Sequence, residues 1–332
     1  MTDRRLRIAV TAGDPAGIGP EIVAKALRER RLQRLGDVVV FAEGQTFDAA
    51  CMAAGVPALP RVDSAAAAPG AGGPAVLAPV DVEAVPADFE LGRPSAWTGR
   101  VAATCVERAA RAALAREVDA VVTAPLAKVA LQAAGVEFPG HTEMLASLAG
   151  VDSVAMMFVA KELRLTLATI HVALADVPRL LTADSLLEKM RLTRDALLHH
   201  AGIPSPRLAV LGLNPHAGES GMFGREEIAV VGPAIQRARE RGWRVDGPFP
   251  ADAFFARQRR DFDGVLAMYH DQGLIPVKLL GGGQAVNVTL GLPFVRTSPD
   301  HGTAFDIAGR NVASAESLVA AAALAAEWSG GA

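Results

Sequence analysis

Short apolar runs rich in β-branched residues alternate with longer stretches of helical periodicity, and this alternation constrains the fold more than any other feature of the chain. The runs readable as strands are Arg7–Val10, Val38–Phe41, Ala120–Thr123, Val154–Val159, Leu165–Ile170, Leu208–Leu211, Gly264–Met268 and Ala285–Thr289. Helical patterns lie between them at Ile22–Arg30, Trp97–Arg116, Ser185–His200, Glu226–Arg241 and Ser317–Trp328. Strands joined through helices predict an α/β fold with a largely parallel sheet and helices on both faces. At 332 residues the chain exceeds the usual size of one domain, so a two-lobed arrangement is expected.

Ligands of such sheets gather outside the carboxyl ends of the strands. Polar residues stand at those places here. Asp14 follows the first strand, and Pro125 with Lys128 follows the Ala120 strand. His171 follows the Leu165 strand, Asn214 with His216 the Leu208 strand, and His270 with Asp271 the Gly264 strand. These clusters predict one shared cleft.

The seven histidines differ in setting. His199 and His200 end a predicted helix before Gly202, where a cation suits the helix dipole. The other five sit in turns: His141 in PGHTE, His171 in TIHVAL, His216 in NPHAGES, His270 in YHDQGL and His301 in SPDHGTA. A lone turn histidine is usually a surface residue. Three that directly follow separate strands make a candidate metal site, because imidazole suits zinc and related ions and three ligands leave positions open for substrate. No HExxH or CxxC pattern adds to it.

Neither G-x-G-x-x-G after the first strand nor G-x-x-x-x-G-K-[ST] occurs, which disfavours a standard Rossmann site. Two other glycine-rich turns remain, GDPAGIGPE (13–21) and DHGTAFDIAG (300–309). Their glycines allow close backbone approach to a ligand, and equally serve plain strand-to-helix turns. For an anionic substrate the chain offers Lys278, Asn287 and Arg296, and His141 with Thr142 at a predicted helix start.

Composition removes several function classes. A net charge of −3 with mixed signs leaves no footprint for nucleic acid or an anionic membrane surface. With 51% hydrophobic and 21% charged residues the chain carries a buried core. Cys51 and Cys105 form no metal-type motif and fit a reducing compartment. The apolar stretch Ile8–Ala12 is too short for a signal peptide, and no uncharged run is long enough for a membrane helix, so a cytoplasmic protein is expected. The segment Ser64–Pro79 has the composition of a surface loop.

Taken together, TAGDPAGIGPEI, VVTAPLAK with FPGHTEMLA, NPHAGESGMFGREE, and AMYHDQGLIPVKLL with AVNVTLGLPFVRTSPDHGTAFDIAG closely resemble the 4-hydroxythreonine-4-phosphate dehydrogenase (PdxA) family. The resemblance runs from about Arg7 to the last helix. Through that family the chain is similar to the isocitrate and isopropylmalate dehydrogenases, which share a GxGIGPE-like turn and an HGxAxDIAG-type loop. It implies two α/β/α lobes, near 1–130 with 300–332 and 131–299, with the active site in the cleft between them. It implies three metal-ligand histidines, His171, His216 and His270, and substrate contacts at His141, Thr142, Lys278, Asn287 and Arg296. NAD contacts would fall at Asp300, His301, Gly302 and Asp306, with NAD and NADP not distinguished. Zn²⁺ best suits the histidine set, though Mg²⁺ and Co²⁺ remain open. A homodimer whose two chains share the site is further implied.

The implied reaction is metal-assisted oxidation of 4-phosphohydroxy-L-threonine at C3, with decarboxylation to 3-amino-2-oxopropyl phosphate, in pyridoxal 5′-phosphate synthesis. Asp271 and Lys128 are the candidate general bases. The triple glycine Gly281–Gly283 and the loop Glu219–Gly224 depart from the commonest family form. A related 4-phospho-D-threonate or 4-phospho-D-erythronate dehydrogenase would use the same anchors. An acyl-phosphate transferase, on a related fold, or a phosphometabolite sensor would need no three-histidine site.

Overall fold

A computed structural model describes residues 5–68, 73, 75–138 and 140–330. Of the expected surface loop at 64–79, residues 69–72 and 74 lie outside the described residues, and Val76–Pro79 is instead a largely buried strand paired with the Asp37–Ala42 strand. The chain runs through β1 (Arg7–Thr11), α1 (Gly19–Arg28), β2 (Asp37–Ala42), α2 (Gly44–Ala54), β3 (Val76–Pro79), α3 (Ala96–Leu114), β4 (Ala120–Thr123), α4 (Lys128–Ala133) and α5 (His141–Ala149). Next come β5 (Ala155–Ala160), β6 (Leu163–Leu167), α6 (Val177–Leu180), α7 (Ala183–His199), β7 (Arg207–Leu211), α8 (Gly232–Glu240), β8 (Arg244–Phe249), α9 (Ala251–Arg257), β9 (Gly264–Ala267), α10 (His270–Gly281) and β10 (Val286–Leu290). Then follow β11 (Val295–Pro299) and α11 (Glu316–Gly330).

The residues group into two compact units, one reaching to Asp152 and resuming at Leu292–Gly330, the other Ser153–Gly291. Helix α5, with His141 and Thr142, packs on α3 and so belongs to the first unit, not to a 131–299 lobe.

In the first unit the strand order is β3-β2-β1-β4-β11, all parallel. Every residue of β2 and β4 is buried, which explains their unbroken apolar runs: helices cover both faces of a parallel sheet. Helix α3 starts at a reciprocal cap in which Ser95 and Thr98 each satisfy the other's backbone N–H. In the second unit the order is β10-β5-β6-β9-β7-β8. Strand β5 runs antiparallel to β10 and β6, whereas β6, β9, β7 and β8 are mutually parallel. The exception arises because β5 and β6 form a tight hairpin, turned at Lys161 with φ 54°. Two apolar clusters cover this sheet, one including Met190, Leu208 and Val210, the other Leu165, Phe254 and Val265. The expected helix at 226–241 opens with one π-helical turn, Glu227–Val231, before α8.

Candidate active site

The second unit gathers the chemistry around His270. Strands β6 and β9 are parallel neighbours, pairing Leu165 with Val265 and Leu167 with Ala267. Beyond them the chains stay together: Ala168 N–H donates to Ala267 O (2.8 Å), and the Thr169 hydroxyl donates to Met268 O (2.8 Å). His171 and His270 therefore emerge side by side, ring centroids 5.7 Å apart. His270 opens α10, and its Nδ1 lies 2.7 Å from Asp271 Oδ1. With the carboxylate accepting, Nδ1 carries the proton and Nε2 keeps its lone pair outward, the usual backing of a metal-ligating imidazole. Gln272 ties this corner to the next strand: its Oε1 accepts from Met268 N–H (2.7 Å) and its Nε2 donates to Gly212 O (2.7 Å).

His216 lies on the loop after β7. Residues 216–220 all have positive φ, a left-handed turn of which only Gly218 is glycine. Such a run costs L-residues roughly 1–2 kcal/mol each, so something must hold it. Glu227, buried on the π-helical turn, accepts from the backbone N–H groups of Leu213 and Asn214 (2.8 Å each) and from Asn214 Nδ2 (2.9 Å). Among the described residues of one chain, no group of three His, Cys, Asp or Glu side chains is placed to hold a metal. The structure thus brings His171 and His270 together without closing the triad on His216.

Of the expected substrate residues in this unit, Lys278 is exposed two turns along α10. Asn287 is half-buried on β10, and its Oδ1 is buried without a hydrogen-bond partner.

In the first unit, Arg296 is almost wholly buried on β11, where parallel pairing with β4 sets its guanidinium against Thr123 Oγ1 (2.6 Å). Burial lowers Arg296 to about 10, with Glu143 acting in the opposite sense. His141 opens α5. Burial first, and then the Arg296 charge, push its pKa well below the ordinary histidine value, and its Nε2 is buried without a partner. A neutral imidazole beside a buried guanidinium has the chemistry to receive an anion, and Thr142 is half-buried next to it on the first turn of α5. Lys128 is exposed at the start of α4. Asp300 and His301 are half-buried, and Gly302 and Asp306 exposed, on the loop after β11; His301 Nδ1 lies 3.0 Å from Gly302 O. Asp14 is fully buried, accepts from Ala16 N–H (2.9 Å) and is raised by burial to about 6.

A family model described as "Pyridoxal phosphate biosynthetic protein PdxA" matches residues 35–325. The chain belongs to this family. A 4-hydroxythreonine-4-phosphate dehydrogenase of Geobacter metallireducens is 45% identical, covering 98% of this chain and 96% of its own. A relative from Bradyrhizobium diazoefficiens, provisionally named a D-threonate 4-phosphate dehydrogenase, is also 45% identical, over 97% of this chain and 95% of its own. The crystal structure of a 4-hydroxythreonine-4-phosphate dehydrogenase from Klebsiella pneumoniae is 40% identical, covers 98% of each chain and superposes with a TM-score of 0.86. This PdxA-family protein therefore shares its α/β fold with solved dehydrogenases.

The residues the sequence did not single out act at a distance. Gln272 lies inside the YHDQGL motif, where its place two residues past His270 was the available signal. Glu227 and Thr123 carry no local signature.

Proposed function

We propose that this protein is an NAD- and divalent-metal-dependent dehydrogenase that oxidises 4-phosphohydroxy-L-threonine at C3, the product losing CO₂ to leave 3-amino-2-oxopropyl phosphate. The observation that carries the reading is the His171–His270 pair with Asp271 behind His270. His171 and His270, with His216, would hold the metal, which when bound would supply Lewis acidity to the C3 hydroxyl and to the ketone that oxidation makes of it. Zn²⁺ suits an all-imidazole set, and Co²⁺ or Mg²⁺ would serve in its place.

The chain's own side chains do the rest. Arg296, with neutral His141 and Thr142, would bind one anionic end of the substrate; Lys278 and Asn287 would bind another. Fixing both ends places the C3 hydrogen for transfer to the nicotinamide. Asp271 is engaged on His270, which favours an orienting role and leaves Lys128 as the candidate proton acceptor. Asp300, His301, Gly302 and Asp306 are the proposed cofactor contacts.

A homodimer that shares the site is part of the same reading. Large apolar side chains stand exposed near each histidine: Val172 and Leu174 after His171, Met222 and Phe223 after His216, Ile275 and Leu279 on the helix that His270 opens. Exposed apolar patches of this kind mark protein contacts. A second chain would supply the ligand that one chain does not bring to the pair. No helix among the described residues is long and apolar enough to cross a membrane, in keeping with a cytoplasmic enzyme.

A second reading, oxidation of 4-phospho-D-threonate, is favoured by the Bradyrhizobium relative. The test follows NADH absorbance with purified protein, Zn²⁺ and NAD⁺ on both substrates in parallel. Preference for the amino substrate, lost in His216→Ala, is the expected result. Preference for the threonate moves the enzyme to sugar-acid catabolism, and activity on neither overturns the proposal.

A further inference from the structure

The direction in which the buried Arg296 points its charge depends on one hydroxyl. Strand β11 pairs with β4 so that Arg296 stands opposite Val121. Residues two apart on a strand share a face, so Thr123 lies on the same side of the sheet, one step nearer the carboxyl end of β4. The next residue of β11, Thr297, faces the other way and gives its hydroxyl proton to Ala321 O of α11 (2.8 Å). Alternation therefore commits Arg296 to the opposite face, where its Nη2 donates to Thr123 Oγ1 at 2.6 Å.

Thr123 is a fixed post. Strand β4 lies between β1 and β11, Thr123 pairs with Thr11, and Ala124 N–H donates to Thr11 O (3.0 Å). Just beyond, Pro125 O accepts from Asp14 N–H (3.0 Å), and a Cβ on Gly13 would stand 2.2 Å from that oxygen. The strand end is thus held against the first glycine-rich turn, with no slack for a larger residue there. A β-branched side chain on a strand is also stiff at χ1. Thr123 is wholly buried and Arg296 is 1% exposed, so bulk water does not compete for the bond between them.

The chemistry of that bond is one-sided. A guanidinium only donates, so the Thr123 oxygen must accept. The guanidinium is also a rigid planar fork, and fixing one nitrogen fixes the directions of the other N–H groups. The charge so placed reaches α5, where it acts on His141, and Glu143 of the same helix acts back on Arg296.

We propose that Thr123 is a positioning residue: its hydroxyl oxygen, as an acceptor, orients the Arg296 guanidinium beside His141 and so sets the affinity for the anionic end of the substrate. The inference rests on the reading that Arg296 binds an anionic substrate.

The test compares two variants of the full chain. Thr123→Val keeps the branched shape and removes the acceptor, whereas Thr123→Ser keeps the acceptor and removes a methyl group. KM for 4-phosphohydroxy-L-threonine should rise about tenfold in Thr123→Val, the scale of one lost hydrogen bond to a charged group, with kcat changing much less. Thr123→Ser should restore most of that loss. A second readout needs no substrate. In Thr123→Val the guanidinium is no longer held beside His141, so by NMR that imidazole should titrate at higher pH than in the wild type, while Thr123→Ser should follow the wild type. An unchanged KM in Thr123→Val overturns the proposal. An equal defect in Thr123→Ser also overturns it, because the effect would then come from packing and not from the acceptor. If the wild type oxidises neither hydroxy-acid, the proposed reaction falls, and an unmoved His141 titration in Thr123→Val is then the result that overturns the role of Thr123.

Discussion

Glu227 holds Asn214 by both main chain and side chain: one carboxylate oxygen takes its backbone N–H at 2.8 Å, the other its Nδ2 at 2.9 Å. The same first oxygen takes Leu213 N–H, so one buried anion pins the entry to the left-handed turn that carries His216. Glu227→Ala would strand these donors and release the turn. It is expected to cost about 3 kcal/mol in urea unfolding. If His216 is a ligand, Co²⁺ affinity should fall by about 10–100-fold, as for other outer partners of metal ligands. Unchanged Co²⁺ binding in a folded variant would detach the turn from the metal site.

Asp271 sits 2.7 Å from His270 Nδ1, close enough to fix the imidazole's tautomer and tilt. Asp271→Asn should therefore lower metal affinity by about 10–100-fold, with turnover recovering at high metal concentration. Turnover that stays low while bound metal remains stoichiometric would instead make Asp271 the general base. Metal content by mass spectrometry, measured beside kcat, separates the two.

The buried first-unit pair makes a prediction about charge. His141 is held neutral by burial and by Arg296. Arg296→Met should raise the His141 pKa toward its ordinary value, seen as a shifted imidazole titration by NMR, and should raise KM for substrate. The sign for stability follows from His141 itself. Its folded pKa is depressed, so the unfolded chain takes up the proton first, and stability falls as pH drops below about 6.5. That slope should shrink in His141→Gln.

Much of this frame was legible in the sequence where local rules dominate. Strands β1, β2 and β4 are buried on both faces and read as continuous apolar runs, and the α3 and α7 patterns are amphipathic with Ser95 and Thr182 as caps. Three of the elements that went unread break those rules. Helix α10 contains Pro276 and Gly273, residues that ordinarily end or weaken a helix. Strand β11 is Val-Arg-Thr-Ser-Pro, polar yet buried, because Arg296 meets Thr123 across 173 residues of chain. Strand β8 includes Gly247-Pro248, which reads as a turn. His171, His216 and His270 stood out as candidate ligands by position and by family resemblance, and Asp271 as a candidate support, but Gln272 and Glu227, which hold the neighbouring loops, did not. Gln272 reaches Gly212 across 60 residues, a relation only the fold creates.

Asp14 carries the last prediction. It is fully buried between the β1–α1 turn and α3, with Thr98 Oγ1 3.3 Å from Oδ2, and burial raises it to about 6 from 3.8. Because the folded state holds this proton more tightly, Asp14 favours folding at low pH and loses that advantage as pH rises from about 4 through about 6. Above pH 7 the buried anion costs about 3 kcal/mol relative to a carboxyl with ordinary affinity. Asp14→Asn keeps the acceptor for Ala16 N–H and removes the charge. It should unfold at higher urea concentration than the wild type at pH 8, with the difference fading toward pH 4. A variant equally destabilised at both pH values would mean that the ionised carboxylate itself is needed by the turn, and that its hydrogen bonds outweigh the cost of burying it.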